Sequence, residues 1–161
     1  MQRRFVASVS VIGLMLGATA VVWVGYAKRA EAHCQVPCGI YNDPARFVRL
    51  REDTATIAKA IGKINELAGK HEAQALNQAV RWVNTKEIHA THIIDVVTEY
   101  FLTQKVKPVA QGAKGYDAYL KKLADHHAVM VAAMKTKQNA DPALADALSH
   151  AIDGLAGYYT R

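Results

Sequence analysis

Both cysteines of this 161-residue chain fall within five positions, Cys34 and Cys38, in the stretch AEAHCQVPCGIYNDP, and His33 immediately precedes the first. Two thiols and an imidazole so close together are soft and borderline donors for one metal ion. The cluster becomes richer if the chain is cut after Ala32. His33 then carries a free α-amine, which titrates near pH ~8 in peptides. The His33 amine, the Cys34 amide nitrogen and the two thiolates can close small chelate rings around one ion, with the His33 imidazole approaching from the side. Two nitrogens and two sulfurs in a plane suit Ni(II), or Cu(II), whereas zinc prefers a tetrahedral arrangement. Pro37 sits where the loop must fold back for both sulfurs to meet, and Gly39 lets the backbone leave at an angle that other residues resist.

The segment ahead of this cluster makes such a cut reasonable. Met1 to Arg4 is a short basic stretch, Phe5 to Ala27 carries no charge, and Ala30-Glu31-Ala32 has the small-x-small pattern of a signal cleavage site. Residues 1–32 therefore read as a leader that is removed. The competing reading is a retained signal anchor, because 23 uncharged residues are enough to cross a bilayer. That reading makes the protein a membrane-tethered helical-bundle binding protein with a Cys34–Cys38 disulfide. A third reading is a copper or zinc carrier that uses the same donors without turnover.

The residues then match a known pattern. HCQVPCGIY, His33 to Tyr41, resembles the nickel-binding hook of nickel superoxide dismutase, H-C-x-x-P-C-G-x-Y at the start of the processed chain. All six defined positions agree: His33, Cys34, Pro37, Cys38, Gly39 and Tyr41. The resemblance implies disproportionation of superoxide to oxygen and hydrogen peroxide by Ni(II)/Ni(III) cycling, with one nickel per subunit. It further implies that Cys34 and Cys38 supply sulfurs, Cys34 its amide, and His33 its amine and imidazole. Tyr41 would order solvent or substrate above the open face of the metal. Glu99-Tyr100-Phe101 resembles the family's Asp-Tyr-Phe stretch, which makes Tyr100 the candidate for a second phenol near the metal. The chain departs from common forms of the family at Gln35 and at the extra Asn42 before Asp43-Pro44.

A segment as short as residues 33–43 cannot hold itself rigid, so it needs a scaffold to dock on. From Pro44 onward the apolar periodicity is helical throughout. Asp43-Pro44 reads as an N-cap and first-turn proline opening a helix from Ala45 to about Ala68, with Phe47, Leu50, Ile57, Ile61, Ile64 and Leu67 on its inner face. A second helix, Glu72 to about Thr103, carries Leu76, Val80, Val83, Ile88, Ile93, Val96, Val97 and Tyr100. Pro108, Gly112 and Gly115 mark a loop. Tyr116 to about Lys137 forms a third helix, and Asp141-Pro142 opens a fourth, to about Tyr159. The expected fold is all-α: an antiparallel four-helix bundle over 44–161, preceded by the irregular metal-binding hook and a hydrophobic leader helix. By resemblance the assembly is a homohexamer.

The remaining histidines do not suggest a di-iron bundle, which requires Glu-x-x-His pairs that this sequence lacks. His89 and His92, His126 and His127, His71 and His150 read as structural or surface groups, and Trp82, Tyr158 and Tyr159 as packing residues. Half of the formal charge of +6 lies in the first 32 residues, and no basic run is interleaved with aromatics, which argues against nucleic acid as a partner. A mildly basic body would still attract a small anion, and Arg81 or Lys86 are the candidates for that charge. Export follows from the leader, to the periplasm or outside the cell, with a leader-cleaving protease as a required partner. Membrane contact arises only through an uncleaved leader.

Overall fold

The computed structural model describes residues 43–160. The leader, and His33, Cys34, Cys38 and Tyr41 of the hook, lie outside the described residues. Four helices account for most of what is described: α1 Asp43–Leu67, α2 Ala73–Asp95, α3 Tyr116–Gln138 and α4 Pro142–Ala156. No strand occurs among the described residues. α2 runs directly into a π-helix, Val96–Lys105, so the expected single second helix is two kinds of helix in series.

The helices pack as a ring, α1 on α2, α2 on α3, α3 on α4 and α4 back on α1. Cross-contacts fix the directions. Asp53 of α1 meets His89 and His92, whereas Asp43 meets Tyr100 and Lys105, so α1 and the second helix run in opposite senses. Lys86 reaches Thr136 while Thr98 reaches Met130, and Arg51 pairs with Asp153 while Asn65 bonds Ala140, which makes those neighbours antiparallel too. The result is the antiparallel helical bundle that the periodicity predicts.

Phe47, Leu50, Ile57 and Ile61 meet Ile93, Val97 and Phe101, with Val129, Ala133, Leu148, Ile152 and Leu155 closing the core from the other side. Each large side chain fully withdrawn from water contributes about 1.5–3 kcal/mol before entropy is counted. The turns follow local chemistry. Gly69 ends α1 in the left-handed region (φ 79°) and Gly115 opens α3 there (φ 93°), conformations that cost other residues energy. The Asp141 side chain accepts from the Ala143 N–H at 2.9 Å, with Pro142 in the first turn, so α4 starts as its sequence predicts.

Two expectations need correction. Asp43 already lies within α1 rather than capping it, which frees its carboxylate for other partners. In α2 the residues turned inward are Ala75, Lys86, Ala90 and Ile93, while Leu76, Val80, Val83 and Ile88 are 39–66% exposed. The reason is polar. The Lys86 ammonium donates to the carbonyls of Thr136 (2.5 Å), Lys137 (2.6 Å) and Asn139 (3.4 Å), groups that the end of α3 leaves without helical partners. Satisfying them turns the Lys86 face inward, and the small Ala75 and Ala90 let the helices approach. No helix among the described residues is long and apolar enough to cross a membrane.

Candidate functional site

α1 begins at Asp43, directly after the stretch that contains the two cysteines, and Asp43 is the centre of a polar cluster at that end of the bundle. Its carboxylate accepts a hydrogen bond from the Tyr100 hydroxyl and ion-pairs with Lys105 at 2.8 Å. Burial opposes the charge on Asp43, but bonds from Lys105 and Tyr100 outweigh it and hold the carboxyl below its ordinary range. Burial and the Asp43 contact push the Tyr100 phenol up, and the bond to Asp43 does the same to the Lys105 ammonium.

The helix type makes this convergence possible. Tyr100 and Lys105 are five residues apart, which in an α-helix leaves them about 140° apart around the axis. A π-helix closes its turn on the fifth residue and stacks them. The same spacing recurs within the segment: Thr103 Oγ1 donates to the Thr98 carbonyl, Gln104 Nε2 to that of Glu99, and the Val106 N–H to that of Phe101.

Other cations surround the pair. The Arg46 guanidinium lies 5.2 Å from the centre of the Tyr100 ring and the Lys105 ammonium 5.4 Å from it. Lys122 of α3 sits 4.4 Å from the Tyr159 ring, and burial pushes its ammonium down from its usual value. Against these three cations stand the Asp43 carboxylate, paired with Lys105, and the Asp125 carboxylate, paired with Lys121. Arg46, Lys105 and Lys122 are residues that sequence reasoning missed. They come from three elements, and no local pattern links them. Lys86 is corrected: only 4% exposed, it is committed to the end of α3 and presents no charge to an incoming anion.

Beneath the cluster lies an aromatic layer. Phe101 meets Tyr100 edge-on with ring centres 5.0 Å apart and lies tilted 4.7 Å from Tyr159, and Phe47 lies 5.1 Å from Phe101. His126 is fully buried there, as the structural reading expected. Its Nδ1 faces the Lys122 carbonyl at 2.6 Å, an acceptor, so Nδ1 carries the proton. Nε2 therefore accepts from the Tyr159 hydroxyl at 2.8 Å. Burial lowers the His126 pKa and raises that of Tyr159, which keeps both groups neutral.

His89 and His92 are also structural. Their Nδ1–H groups donate to the two oxygens of Asp53, at 2.6 and 2.5 Å. Among the described residues no group of three or more His, Cys, Asp or Glu side chains could hold a metal ion. The thiols of the whole chain are those of Cys34 and Cys38. Thiolates stabilise the higher oxidation state that a redox-cycling nickel requires, so the donor set on either side of Gln35-Val36-Pro37 fits such an ion and the bundle side chains do not.

No curated protein and no solved structure matches the chain. A family model described as nickel-containing superoxide dismutase matches residues 28–161, which takes in both cysteines and every helix described above. With that match and the donor set in agreement, the chain belongs to the nickel-containing superoxide dismutases, oxidoreductases that use nickel to convert superoxide to oxygen and hydrogen peroxide.

Proposed function

We propose that His33, Cys34 and Cys38 hold the nickel, after removal of residues 1–32 has turned the His33 nitrogen into a free amine. The chemistry of the donors supports this reading: it is the one place in the sequence where two thiols meet an imidazole and a prospective terminus. Bound nickel supplies a one-electron couple that alternately accepts an electron from superoxide and returns one to it. The chain's own residues have three tasks. The thiolates and nitrogens bind, the phenols of Tyr41 and Tyr100 order solvent and substrate, and the basic end of the bundle draws in the anion.

Chain connectivity supports the assignment of Tyr100. Tyr41 is two residues from Asp43, so their Cα atoms are at most about 7 Å apart. Tyr100 donates to that same Asp43. Its hydroxyl proton is thus committed to a carboxylate, and the Lys105 ammonium bonds the same phenol, which fixes the ring at the end where α1 begins. Arg46, Lys105 and Lys122 replace Arg81 and Lys86 as the steering charges. The hook is taken as 33–43 and the bundle as 44–161. Hexamer formation, a leader-cleaving protease and export to the periplasm or beyond belong to the same reading.

The decisive measurement is the intact mass and metal content of the native enzyme. The expected species begins at His33 with one nickel per chain. An active enzyme that still begins at Met1 would overturn the assignment, as would a Cys34→Ser/Cys38→Ser protein that retains dismutation.

A further inference from the structure

Three tyrosines run from the Asp43 end of the bundle to its surface, and the phenol of each is hydrogen-bonded to a base. Tyr100 donates to Asp43, Tyr159 to His126 Nε2 at 2.8 Å, and Tyr158 to Asp125 at 2.5 Å. Their rings form a contiguous series: Tyr100 to Phe101 at 5.0 Å, Phe101 to Tyr159 at 4.7 Å, and Tyr159 to Tyr158 at 6.3 Å. Tyr158 is 37% exposed, whereas Tyr100 is 8% exposed. We infer that Tyr100, Tyr159 and Tyr158 form a relay that carries oxidising equivalents from the metal end of the bundle to a reductant in solution, each electron step coupled to a proton step onto Asp43, His126 or Asp125. The inference rests on the reading that nickel is held next to Tyr100.

The chemistry requires this pairing. An oxidised phenol is a strong acid, so a tyrosine gives up an electron easily only where a base can take its proton at once. Lys122 lies 4.4 Å from the Tyr159 ring and 5.3 Å from that of Tyr158, which disfavours a positively charged ring and leaves the neutral radical as the accessible product. His126 is free to act as the base for Tyr159, because its Nδ1 proton is tied to the Lys122 carbonyl. The raised pKa values of all three phenols keep them protonated at rest, so no ring is oxidised without its base.

Nickel held at this end would supply the oxidant by giving one electron to product hydrogen peroxide, which yields hydroxide and an oxygen-centred radical while the metal rises by one oxidation state. The radical takes one electron from Tyr100, whose proton passes to Asp43. Tyr159 then reduces the Tyr100 radical. Asp43 returns its proton to Tyr100, and the proton of Tyr159 moves to His126. Tyr158 reduces Tyr159 in the same way, His126 giving back its proton and Asp125 accepting that of Tyr158. An external one-electron reductant of the thiol or ascorbate class finally reduces Tyr158, which regains its proton from Asp125. The net change is reduction of the radical at the expense of the external reductant, with the site's own ligands spared.

The test exposes the nickel-loaded, processed enzyme to hydrogen peroxide with a nitrone spin trap, and maps the trapped radicals by peptide mass spectrometry, with dismutation assayed on every sample. In the parent protein the label is expected on Tyr158. Tyr158→Phe, at an exposed position, should move it to Tyr159 and Tyr100. Tyr159→Phe should remove most of the label from Tyr158 and collect it on Tyr100. Label persisting on Tyr158 in an active Tyr159→Phe enzyme, or spread over exposed residues in an active Tyr158→Phe enzyme, would overturn the relay. A parent protein lacking dismutation would instead overturn the nickel reading.

Discussion

Asp43 and Asp53 stand ten residues apart on α1, and each holds two donors from the second helix. They use different helix geometries to do it. Asp53 is 1% exposed and takes the Nδ1 groups of His89 and His92, three residues apart on regular α-helix. Asp43 is 21% exposed at its side chain and takes Tyr100 and Lys105, five apart on π-helix. Positions three apart are natural neighbours on an α-helix, and positions five apart are not. The middle of the bundle therefore uses the default helix to bury a charge, and the end at which α1 begins uses a rare one to present a charge. π-Helical segments concentrate at functional sites.

This contrast predicts unequal consequences for the two carboxylates. Asp53→Ala strips a buried acceptor from two histidines and should cost about 3 kcal/mol of unfolding free energy, as for removal of one partner from a buried pair. Asp43→Ala, with water able to replace the lost oxygen atoms, should cost about 1 kcal/mol. Urea denaturation of the two variants checks the difference. Equal losses would mean that burial, and not the type of helix, fails to separate the two sites. Dismutation per folded molecule should fall further in the Asp43 variant, in the reverse order to stability.

A smaller effect isolates the π register. Deleting exposed Thr98 shortens the segment ahead of Tyr100 and removes the register that presents both donors to Asp43. Deleting exposed Thr103 instead leaves Tyr100 and the lysine four apart, a spacing that an ordinary α-helix stacks. The Thr103 deletion should retain most of the Asp43 pairing and the Thr98 deletion should lose it, a difference of about 1 kcal/mol in the same denaturation measurement. Matching values for the two would show that the π-helix does not serve the alignment.

The bundle was legible in sequence wherever apolar spacing alone decides the outcome. Phe47, Leu50, Ile57 and Ile61 are inward as their spacing predicts, and Asp141-Pro142 opens α4 as its residue types demand. It was misread where a polar side chain decides. Lys86 looks like a solvated cation on any periodicity plot, yet its bonds to three α3 carbonyls, fifty or more residues away, set the face of α2 and leave Leu76, Val80, Val83 and Ile88 outward. Asp43 looked like a cap because a carboxylate before proline usually is one. The hook shows the opposite balance. Its chemistry can be read from residue types and spacing in a nonapeptide, because metal ligation needs few residues close together in the chain. The surrounding cations cannot, because Arg46, Lys105 and Lys122 are brought together by packing.

The most specific effect reads the Asp43 carboxylate by its titration. Its folded pKa lies below the ordinary carboxylate value of 3.8, so folding favours the charged form. A group of this kind contributes stability that is fully present above its unfolded pKa and is lost as pH falls through its folded one. The stability difference between the parent protein and Asp43→Asn should therefore be about 1 kcal/mol at neutral pH and shrink toward nothing below the carboxylate range. At the alkaline end the sign reverses. Tyr100 and Lys105 have folded values raised above the ordinary 10.0 and 10.5, so their contribution is present below those values and fades as pH climbs through the folded ones. In Asp43→Asn the acid limb should vanish and the alkaline limb should shrink without disappearing, since burial still raises Tyr100 when the carboxylate that both donors share is gone. If the acid limb persisted in that variant, another carboxylate would be responsible and the functional distinction between the two aspartates would lose its electrostatic basis.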